Sequence, residues 1–487
     1  MLLPHRLRLL RVFTDVSRLA SLPTTELHAD AGVLAAEAAP RLVATAFPQL
    51  ESLTVWYAAG VDEALTAALQ QLLGTGAGGE AQEALLPRLR YLSIHRLGTA
   101  VSDYAPLPPA LAASLRGATQ LRLLRLDFKL RRSTLAESLA PLVGLESLQL
   151  GKTSAPFLST LLQPLTALTA LRFSLPGVLR PDAGLSSLTR LAELTVAEAT
   201  IDVSTLSRLG CLTKLECGAL CAPGPAGAAG PGPIAAAART WDLPPQLAEV
   251  KLTSQPPEAL PALRAPKALA RWDVFLALKE GTHYGEDGAL LPEAEAALCR
   301  AAGMLGSADP DMVVTVEGRR LLPVGGRAEV GPGRRNHTPW LEAVRQAGVA
   351  SLELNGIALS HQDMETLSRC TALKALGLGR TSYPPSALPK LGRLPALECL
   401  GLDCGSWVAE AAGAGPVLEP PPRITGALLA LCADDRWAGR KVEVRLYHDP
   451  ALSNGVKAQL ASVVTSLQEE LRGLGVDGKR LRLEAYV

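Results

Sequence analysis

The sequence predicts an α/β solenoid, in which short parallel strands stack side by side and helices or irregular turns return the chain between them. The first observation is that a phrase of apolar residues, L-x-x-L-x-L, recurs between 142 and 220. Its copies there are Leu145/Leu148/Leu150, Leu168/Leu171/Phe173, Leu191/Leu194/Val196 and Leu212/Leu215/Cys217. The second is that these copies follow each other at steps of 23, 23 and 21 residues, a period typical of solenoids. The third is that the last two apolar residues alternate with one other residue, which predicts a strand buried on one face.

These hexamers resemble the leucine-rich repeat family. The clearest are Leu-Glu-Ser-Leu-Gln-Leu at 145, Leu-Ala-Glu-Leu-Thr-Val at 191, Leu-Lys-Ala-Leu-Gly-Leu at 373 and Leu-Glu-Cys-Leu-Gly-Leu at 397. The resemblance is to intracellular, ribonuclease-inhibitor-like and F-box-associated members, because some steps are long. It implies a curved horseshoe with a parallel β-sheet on the concave face and helices or irregular turns on the convex face. The family usually has Asn or Cys at the ninth position, where this chain has Thr153, Pro176, Ala199 and Thr381. The turns after the strands are therefore expected to be irregular.

The N-terminal repeats are predicted to occupy residues 1–275, with a Pro/Gly-rich loop at 221–238. Before the regular block, the phrase fits Leu7/Leu10/Val12, Leu50/Leu53/Val55, Leu89/Leu92/Ile94 and Leu121/Leu124/Leu126; after the loop, it fits Leu247/Val250/Leu252 and Leu269/Trp272/Val274. Helices are expected over 29–46 and 61–73. The start of the chain lacks the apolar segment of a secretory signal, so its first copy is interpreted as a worn repeat.

Residues 276–348 are predicted to form two elongated repeats or, alternatively, a small separate domain. A helix over 291–305, a strand over 311–316 and a helix over 338–347 with Thr338 as N-cap are expected. A Gly/Arg-rich loop is expected at 321–336.

The remaining chain is predicted to contain further repeats at 349–410, then a Pro/Gly-rich loop and an α/β cap at 411–487. The copies are Val349/Leu352/Leu354, Leu373/Leu376/Leu378 and Leu397/Leu400/Leu402. The loop covers 411–423 and is followed by a predicted helix, strand, long helix and strand, at 424–432, 442–447, 453–474 and 480–486. The polar face of the long helix suits a cap at the end of a solenoid.

Charge and composition exclude several function classes. Lys+Arg number 48 against Asp+Glu 47, for a net charge of +1, which argues against binding of nucleic acid. No segment approaches the roughly 20 apolar residues of a membrane span. Eight cysteines without a C-x-x-C pair indicate reduced thiols. We therefore expect a monomer in the cytoplasm, with cytoskeletal or ciliary association and a nuclear location left open.

Three motifs resemble functional signatures without fitting them. Gly151-Lys152-Thr153 resembles the end of a phosphate-binding loop, but Glu146 stands where the pattern requires Gly. The letters of G-x-G-x-x-G at 74–79 follow a helix, whereas the dinucleotide fingerprint follows a strand. The segment Leu22 to Leu27 resembles the start of an F-box, which would make the chain a substrate receptor of a ubiquitin ligase. This adaptor stays an alternative function.

An enzyme with its site in 276–348 is the less favoured alternative. Its candidate residues are His283, Glu286 and His337, but they do not supply a nucleophile, base and orienting group at a familiar spacing. The sequence predicts no catalytic residue, no cofactor and no metal site, and solvated loops are the expected place of these histidines.

The favoured function is a non-catalytic scaffold or receptor that binds a protein on the concave face. In each strand phrase, positions two, three, five and seven point away from the core. On the N-terminal strands these positions carry aromatic and arginine side chains, which are enriched at the centres of protein interfaces. The predicted binding patch is Trp56, Tyr91, His95, Arg122, Arg125 and Asp127, with the three rings stacked. The alternative is that these side chains only cover the sheet next to a worn terminal repeat.

Overall fold

The computed structural model shows strands and helices that alternate along the chain in two compact units. The first unit comprises Met1–Gly227 with Asp242–Leu247, and the second comprises Ala228–Trp241 with Ala248–Val487. The structure describes residues 6–9, 25–57, 62–74, 84–96, 106–130, 133–181, 184–223, 240–260, 263–279, 282–285, 289–305, 312–318, 337–379, 381, 383–403, 408–411, 415–418, 424–432, 442–447, 454–476 and 481–486. The predicted loops at 221–238 and 321–336 lie almost entirely outside these ranges.

The first unit is built on one parallel sheet in which each strand pairs with the next along the chain. Its strands are β1 Arg6–Leu9, β2 Glu26–Asp30, β3 Ser52–Tyr57, β4 Tyr91–Arg96, β5 Leu123–Leu126, β6 Ser147–Lys152, β7 Ala170–Leu179, β8 Glu193–Asp202 and β9 Lys214–Cys221. Its helices are α1 Ala31–Leu34, α2 Ala39–Ala46, α3 Asp62–Leu73, α4 Pro109–Leu115, α5 Ser133–Leu139, α6 Ala155–Leu162 and α7 Val203–Leu206, with a 3-10 helix at Leu185–Ser187.

The predicted leucine phrases form the core of this unit. Leu124 aligns with Leu148, and Leu126 with Leu150, so equivalent leucines of successive repeats stack along the sheet. All four are buried. The same turn also precedes successive strands: the amide of Leu145, the first residue of its phrase, donates to the carbonyl of Leu142 at 3.0 Å. The repeated phrase therefore encodes the turn as well as the strand.

The second unit also contains a parallel sheet. Its strands are β11 Glu249–Gln255, β13 Arg271–Ala277, β14 Met312–Glu317, β15 Ser351–Asn355, β16 Ala375–Gly379, β17 Cys399–Asp403, β20 Val442–Tyr447 and β21 Leu481–Tyr486. The shorter strands are β10 Trp241–Asp242, β12 Leu263–Arg264, β18 Val408–Ala411 and β19 Gly415–Leu418. The helices are α8 Pro292–Leu305, α9 Thr338–Ala347, α10 His361–Leu367, α11 Ile424–Cys432 and α12 Asn454–Gly473, with 3-10 helices at Pro257–Ala259 and Pro385–Arg393.

The region 276–348 contributes one strand to this sheet. Strand β14 pairs in parallel with β13 on one side and with β15 on the other. Helices α8 and α9 lie before and after it in the chain, where helices are predicted. The N-cap of α9 is His337 and not Thr338, which occupies the first helical position. The predicted division of the chain at 275/276 stays a prediction.

Two local predictions are wrong. Residues 26–30, partly assigned to a helix, form β2, because Leu27 and Ala29 alternate with polar neighbours and align with Leu53 and Val55 of β3. Asp30 then starts α1 by accepting the amide proton of Gly32 at 2.8 Å. The predicted Pro/Gly-rich loop at 411–423 instead contains strand β19, Gly415–Leu418, which pairs antiparallel with the preceding β18.

The F-box-like interpretation places a helical module where the structure has sheet. Glu26 and Leu27 lie in β2, which pairs with β3, while residues 22–24 lie outside the described part of the chain. Helices α1 and α2 follow directly after this strand. The described part of this segment therefore does not form a helical bundle separate from the sheet.

Candidate binding face

The exposed sheet face of the first unit consists of the strand side chains that alternate with the buried ones on β2 to β6. The strand register decides which of them are neighbours. Trp56 on β3 lies opposite His95 on β4, and Ser93 on β4 lies opposite Arg125 on β5. Equivalent positions of adjacent repeats therefore meet in rows across the strands.

An aromatic stack is the central feature of this face. The rings of Trp56 and His95 are 4.8 Å apart between centroids and inclined by 25°, which is a stacked arrangement. Trp56 keeps 37% of its surface exposed. The stack is thus a preformed aromatic surface that is open to solvent on one side.

Hydrogen bonds at both ring nitrogens hold His95 in place. Its Nδ1 lies 2.6 Å from a carboxylate oxygen of Asp127, and its Nε2 lies 2.8 Å from the hydroxyl of Ser93. A carboxylate only accepts hydrogen bonds, so Nδ1 carries a proton, and when the ring is neutral its Nε2 accepts the Ser93 hydroxyl proton. The ring therefore has both a fixed orientation and a fixed tautomer.

Asp127, which directly follows β5, connects the stack to a cation. Arg125 donates to its two carboxylate oxygens from Nε and Nη2, each at 3.3 Å. Partial burial raises the pKa of Asp127, but the hydrogen bonds from His95 and Arg125 outweigh it and leave the pKa below its ordinary value. Asp127 is thus a carboxylate over the physiological pH range.

We predict that the Asp127 carboxylate stabilises the fold above pH 4 and not in strong acid. Its pKa is lowered by folding, so this stabilisation is complete above the ordinary value of 3.8 and disappears as the pH falls through the lower folded value. Asp127→Asn should lower the free energy of unfolding by about 1 kcal/mol at pH 7. The check is urea unfolding of both proteins at pH 7 and in strong acid, where the two midpoints should converge. If the two urea midpoints differed as much in strong acid as at pH 7, the prediction would be contradicted.

The predicted residues form two groups rather than one patch. Trp56, His95, Arg125 and Asp127 are in one connected cluster, called the Trp56 cluster below. Tyr91 lies four residues before His95 on β4, about 13 Å away at about 3.3 Å per residue, so it does not join the stack.

Arg122 and Tyr91 lie at the other end of these strands. Arg122 precedes β5, donates to the carbonyl of Gly144 at 2.9 Å and pairs with Glu146 at 3.6 Å. Tyr91 is 42% exposed. Only two of the three predicted rings, Trp56 and His95, therefore stack on each other. The contacts of Arg122 are with residues of the neighbouring repeat.

Ser93 lies on the predicted exposed face of β4 but is not part of the predicted binding patch. It stands two positions before His95, and residues at i and i+2 of a strand share a face. This spacing was the available signal. The position of Asp127 on the next repeat, which completes the chain of hydrogen bonds, follows only from the register.

The histidines of the alternative enzyme site are buried, so their expected place on solvated loops is wrong. His283 is 3% exposed; its Nδ1 accepts the amide proton of Lys279 at 2.6 Å and its Nε2 donates to Glu258 at 3.0 Å. Both ring nitrogens thereby have structural partners.

His337 is also 3% exposed, and its Nδ1 accepts from the indole of Trp340 at 3.1 Å. Glu286 lies outside the described residues. These contacts place His283 and His337 in structural roles where helices and turns meet.

The phosphate-loop resemblance at 151–153 is a repeat turn. Lys152 ends β6 and pairs with Glu198 at 3.5 Å. The hydroxyl of Thr153 donates to the carbonyl of Ser174 in the next repeat at 3.1 Å, and that of Thr381 donates to the carbonyl of Leu354 in the preceding repeat at 2.6 Å. A Thr at the ninth position thus connects adjacent repeats.

Neither a metal cluster nor a membrane-spanning helix is found in the described part of the chain. Among those residues, no three His, Cys, Asp or Glu side chains are grouped so that they could hold a metal ion. None of the described helices combines the length and the apolar character needed to cross a bilayer.

Three solved structures match the chain at low identity. An internalin from Listeria monocytogenes is 17% identical over 69% of this chain and 88% of its own, with a TM-score of 0.35. A leucine-rich-repeat protein from Leptospira interrogans is 12% identical over 93% and 98%, with a TM-score of 0.37. A chain of the yeast Rad7–Elc1 complex is 13% identical over 84% and 79%, with a TM-score of 0.31. At such values the matches carry no information about what this chain binds.

No protein-family model and no curated protein matches the chain. The assignment therefore comes from the molecule itself. Successive copies of L-x-x-L-x-L form parallel strands whose leucines align, as Leu352, Leu376 and Leu400 do in the second unit. These in-register repeats show that the chain has the leucine-rich-repeat fold.

Proposed function

We propose that this chain binds a protein partner on the exposed sheet face of its first unit, with the Trp56 cluster as the anchor. The observation that carries the proposal is the Trp56–His95 stack, which is open to solvent yet fixed from behind by Asp127. Aromatic and arginine side chains supply most of the binding energy at protein interfaces. A ring that is already held in place loses little conformational entropy when a partner covers it.

The dimensions of the face fit a macromolecule better than a metabolite. The nine strands that the structure describes in the first unit span about 38 Å at about 4.8 Å per strand. With strands about 18 Å long, the face covers about 700 Å², close to one side of an ordinary protein interface. Metabolite sites are concave pockets that enclose most of the ligand.

The proposed setting is the cytoplasm, with the chain acting as a monomer. Cys211, Cys221, Cys299 and Cys370 are free thiols. Burial raises the pKa of Cys370 to about 12, which keeps this thiol protonated and unreactive. Free and partly exposed thiols are typical of proteins in a reducing compartment.

The combination Trp56→Ala with Arg125→Glu should abolish binding. It removes the exposed ring and reverses a charge, so we expect the affinity for the partner to fall by roughly 100-fold or more. The partner is first identified by affinity purification with the wild-type chain and then titrated as a purified protein by calorimetry. Circular dichroism verifies that the variant is folded.

A control variant also truncates an exposed apolar side chain and reverses the charge of an exposed arginine, but away from this face. Val143→Ala with Arg190→Glu alters an exposed apolar residue and an exposed arginine in the turns before β6 and β8. This control should bind the partner like the wild type. Equal affinities of all three proteins would refute the proposed surface, and an equal loss in both variants would show that the effect is not local.

A further inference from the structure

Hydrogen bonds next to the Trp56–His95 stack connect a hydroxyl, an imidazole and a carboxylate in a row. The Ser93 hydroxyl lies 2.8 Å from His95 Nε2, and His95 Nδ1 lies 2.6 Å from the Asp127 carboxylate. A hydroxyl, an imidazole and a carboxylate in this order are a nucleophile, its general base and the group that orients the base. Ser93 and His95 share one face of β4, and the register brings Asp127 to the far nitrogen.

The tautomer is the one that acyl transfer requires. His95 Nδ1–H donates its hydrogen bond to Asp127, so in the neutral ring the Nε2 lone pair is aimed at the Ser93 hydroxyl. Arg125, which donates to both oxygens of Asp127, keeps the acid ionised. The side chains of Ser93 and His95 are only partly buried, so a small molecule can approach them from the solvent side.

We propose that Ser93 and His95 are catalytic residues that hydrolyse carboxylic esters of phenols, with Asp127 as a positioning residue. The aromatic preference follows from Trp56, whose ring lies against His95 and offers a flat apolar surface. It also follows from the surroundings: the amides of β3, β4 and β5 are engaged in the sheet, so these strands do not offer an oxyanion hole of backbone N–H groups at Ser93. A good leaving group such as a phenol compensates for that lack.

Arg125 is the group that can partly replace such a hole. It lies opposite Ser93 in the register, and a guanidinium has five N–H donors, of which two positions are used on Asp127. Its remaining donors and its positive charge stabilise a negative oxygen that forms next to Ser93.

The reaction proceeds in two balanced steps. The Ser93 oxygen bonds to the ester carbonyl carbon while its proton moves to His95 Nε2; the bond to the aryloxy group then breaks, and that group leaves with the same proton. Water repeats the sequence on the acyl-serine: it gives a proton to His95, attacks the carbonyl carbon and releases the carboxylic acid, and the proton returns to Ser93. The balance needs no other reactant than the ester and water.

This activity goes beyond partner binding and is tested without a partner. The full chain is incubated with p-nitrophenyl acetate, and release of p-nitrophenol is followed for the wild type, Ser93→Ala, His95→Gln and Ser52→Ala. Ser52→Ala is the matched control, a serine of β3 on the same face that is not bonded to His95. Ser93→Ala and His95→Gln should lower the rate about 100-fold, and Ser52→Ala should not change it. Asp127→Asn should lower kcat and leave KM unchanged.

Covalent labelling gives an independent measurement. An alkyl fluorophosphonate should phosphonylate Ser93 with loss of fluoride, and intact-mass spectrometry should show one adduct on the wild type and none on Ser93→Ala. Hydrolysis that is absent from the wild type, or that Ser93→Ala leaves unchanged, would overturn the proposal. An adduct that forms equally on Ser93→Ala would do the same. Since neither assay contains the partner, failure here leaves the proposed binding function untouched.

Discussion

Replacing Asp363 with alanine is expected to lower the free energy of unfolding of the second unit by about 3–5 kcal/mol. Asp363 is fully buried and lies at the third position of α10. Its Oδ2 accepts the amide proton of Ser360 at 2.8 Å and the Ser360 hydroxyl proton at 2.7 Å. In return, the Ser360 hydroxyl oxygen accepts the amide proton of Asp363 at 3.1 Å. This reciprocal arrangement is a capping box that starts the helix.

The other carboxylate oxygen of Asp363 starts a different helix. Its Oδ1 accepts the amide proton of His337 at 2.9 Å and the hydroxyl proton of Thr338 at 3.1 Å, where α9 begins. The His337 side chain forms no cap of its own. Alanine would therefore leave donors at two helix N-termini without their acceptor, and each buried donor costs about 1–3 kcal/mol.

Urea unfolding followed by circular dichroism measures this loss. Asp363→Asn keeps one acceptor oxygen and should lower the free energy of unfolding less than alanine does. Glu342→Ala on the exposed side of α9 is the matched control, because the carboxylate that it removes is hydrogen-bonded to Arg345 and Gln346 on the surface of its own helix; it should cost less than 1 kcal/mol. A loss for Asp363→Ala as small as that of the control would contradict the structural role of the carboxylate.

The strands of both units could be predicted because the leucine phrase is redundant. Each copy places two core residues on one face, so a single substitution such as Cys217 for leucine leaves the pattern readable. Strand β2 was missed because Ala29 fills a core position with a residue that is equally common in helices. Long-range pairing with β3, and not local preference, decides that segment.

For the candidate site, only the contacts that follow from the alignment of the repeats could be predicted from the sequence. Trp56 and His95 occupy the same phrase position in adjacent repeats, so their contact follows from the repeat alignment alone. Tyr91 occupies another position, and the same alignment separates it from the stack. The hydrogen bonds from His95 to Ser93 and Asp127 depend on side-chain rotamers, which the sequence does not encode in any local pattern.

The burial of isolated polar residues could also not be predicted from the sequence. His283 belongs to a polar segment with Tyr284, and its surroundings in the sequence are typical of a solvated loop. Its partner Glu258 lies 25 residues earlier in the chain. A polar group can be buried when such a distant partner satisfies it, and this information is present only in the fold.

Replacing Gly151 with alanine is expected to destabilise the first unit by about 3 kcal/mol. A Cβ atom on Gly151 would lie 2.4 Å from the carbonyl oxygen of Phe128 and 2.9 Å from its amide nitrogen. Both atoms belong to the backbone of the preceding repeat, so they cannot move aside as a flexible side chain could. The absence of a side chain at 151 is therefore what lets two repeats approach each other, and no phosphate is needed to explain this glycine.

The matched control is Gly210→Ala in the same unit. Nothing lies within 4 Å of a Cβ at Gly210, which sits in an exposed turn, so alanine there should be neutral or stabilise slightly by restricting the unfolded chain. Urea midpoints of the wild type and the two variants separate the outcomes, since both substitutions add the same methyl group. Equal midpoints for Gly151→Ala and Gly210→Ala would show that the contact with Phe128 does not constrain the fold. A midpoint lowered only for Gly151→Ala would establish that the spacing of these repeats depends on the glycine.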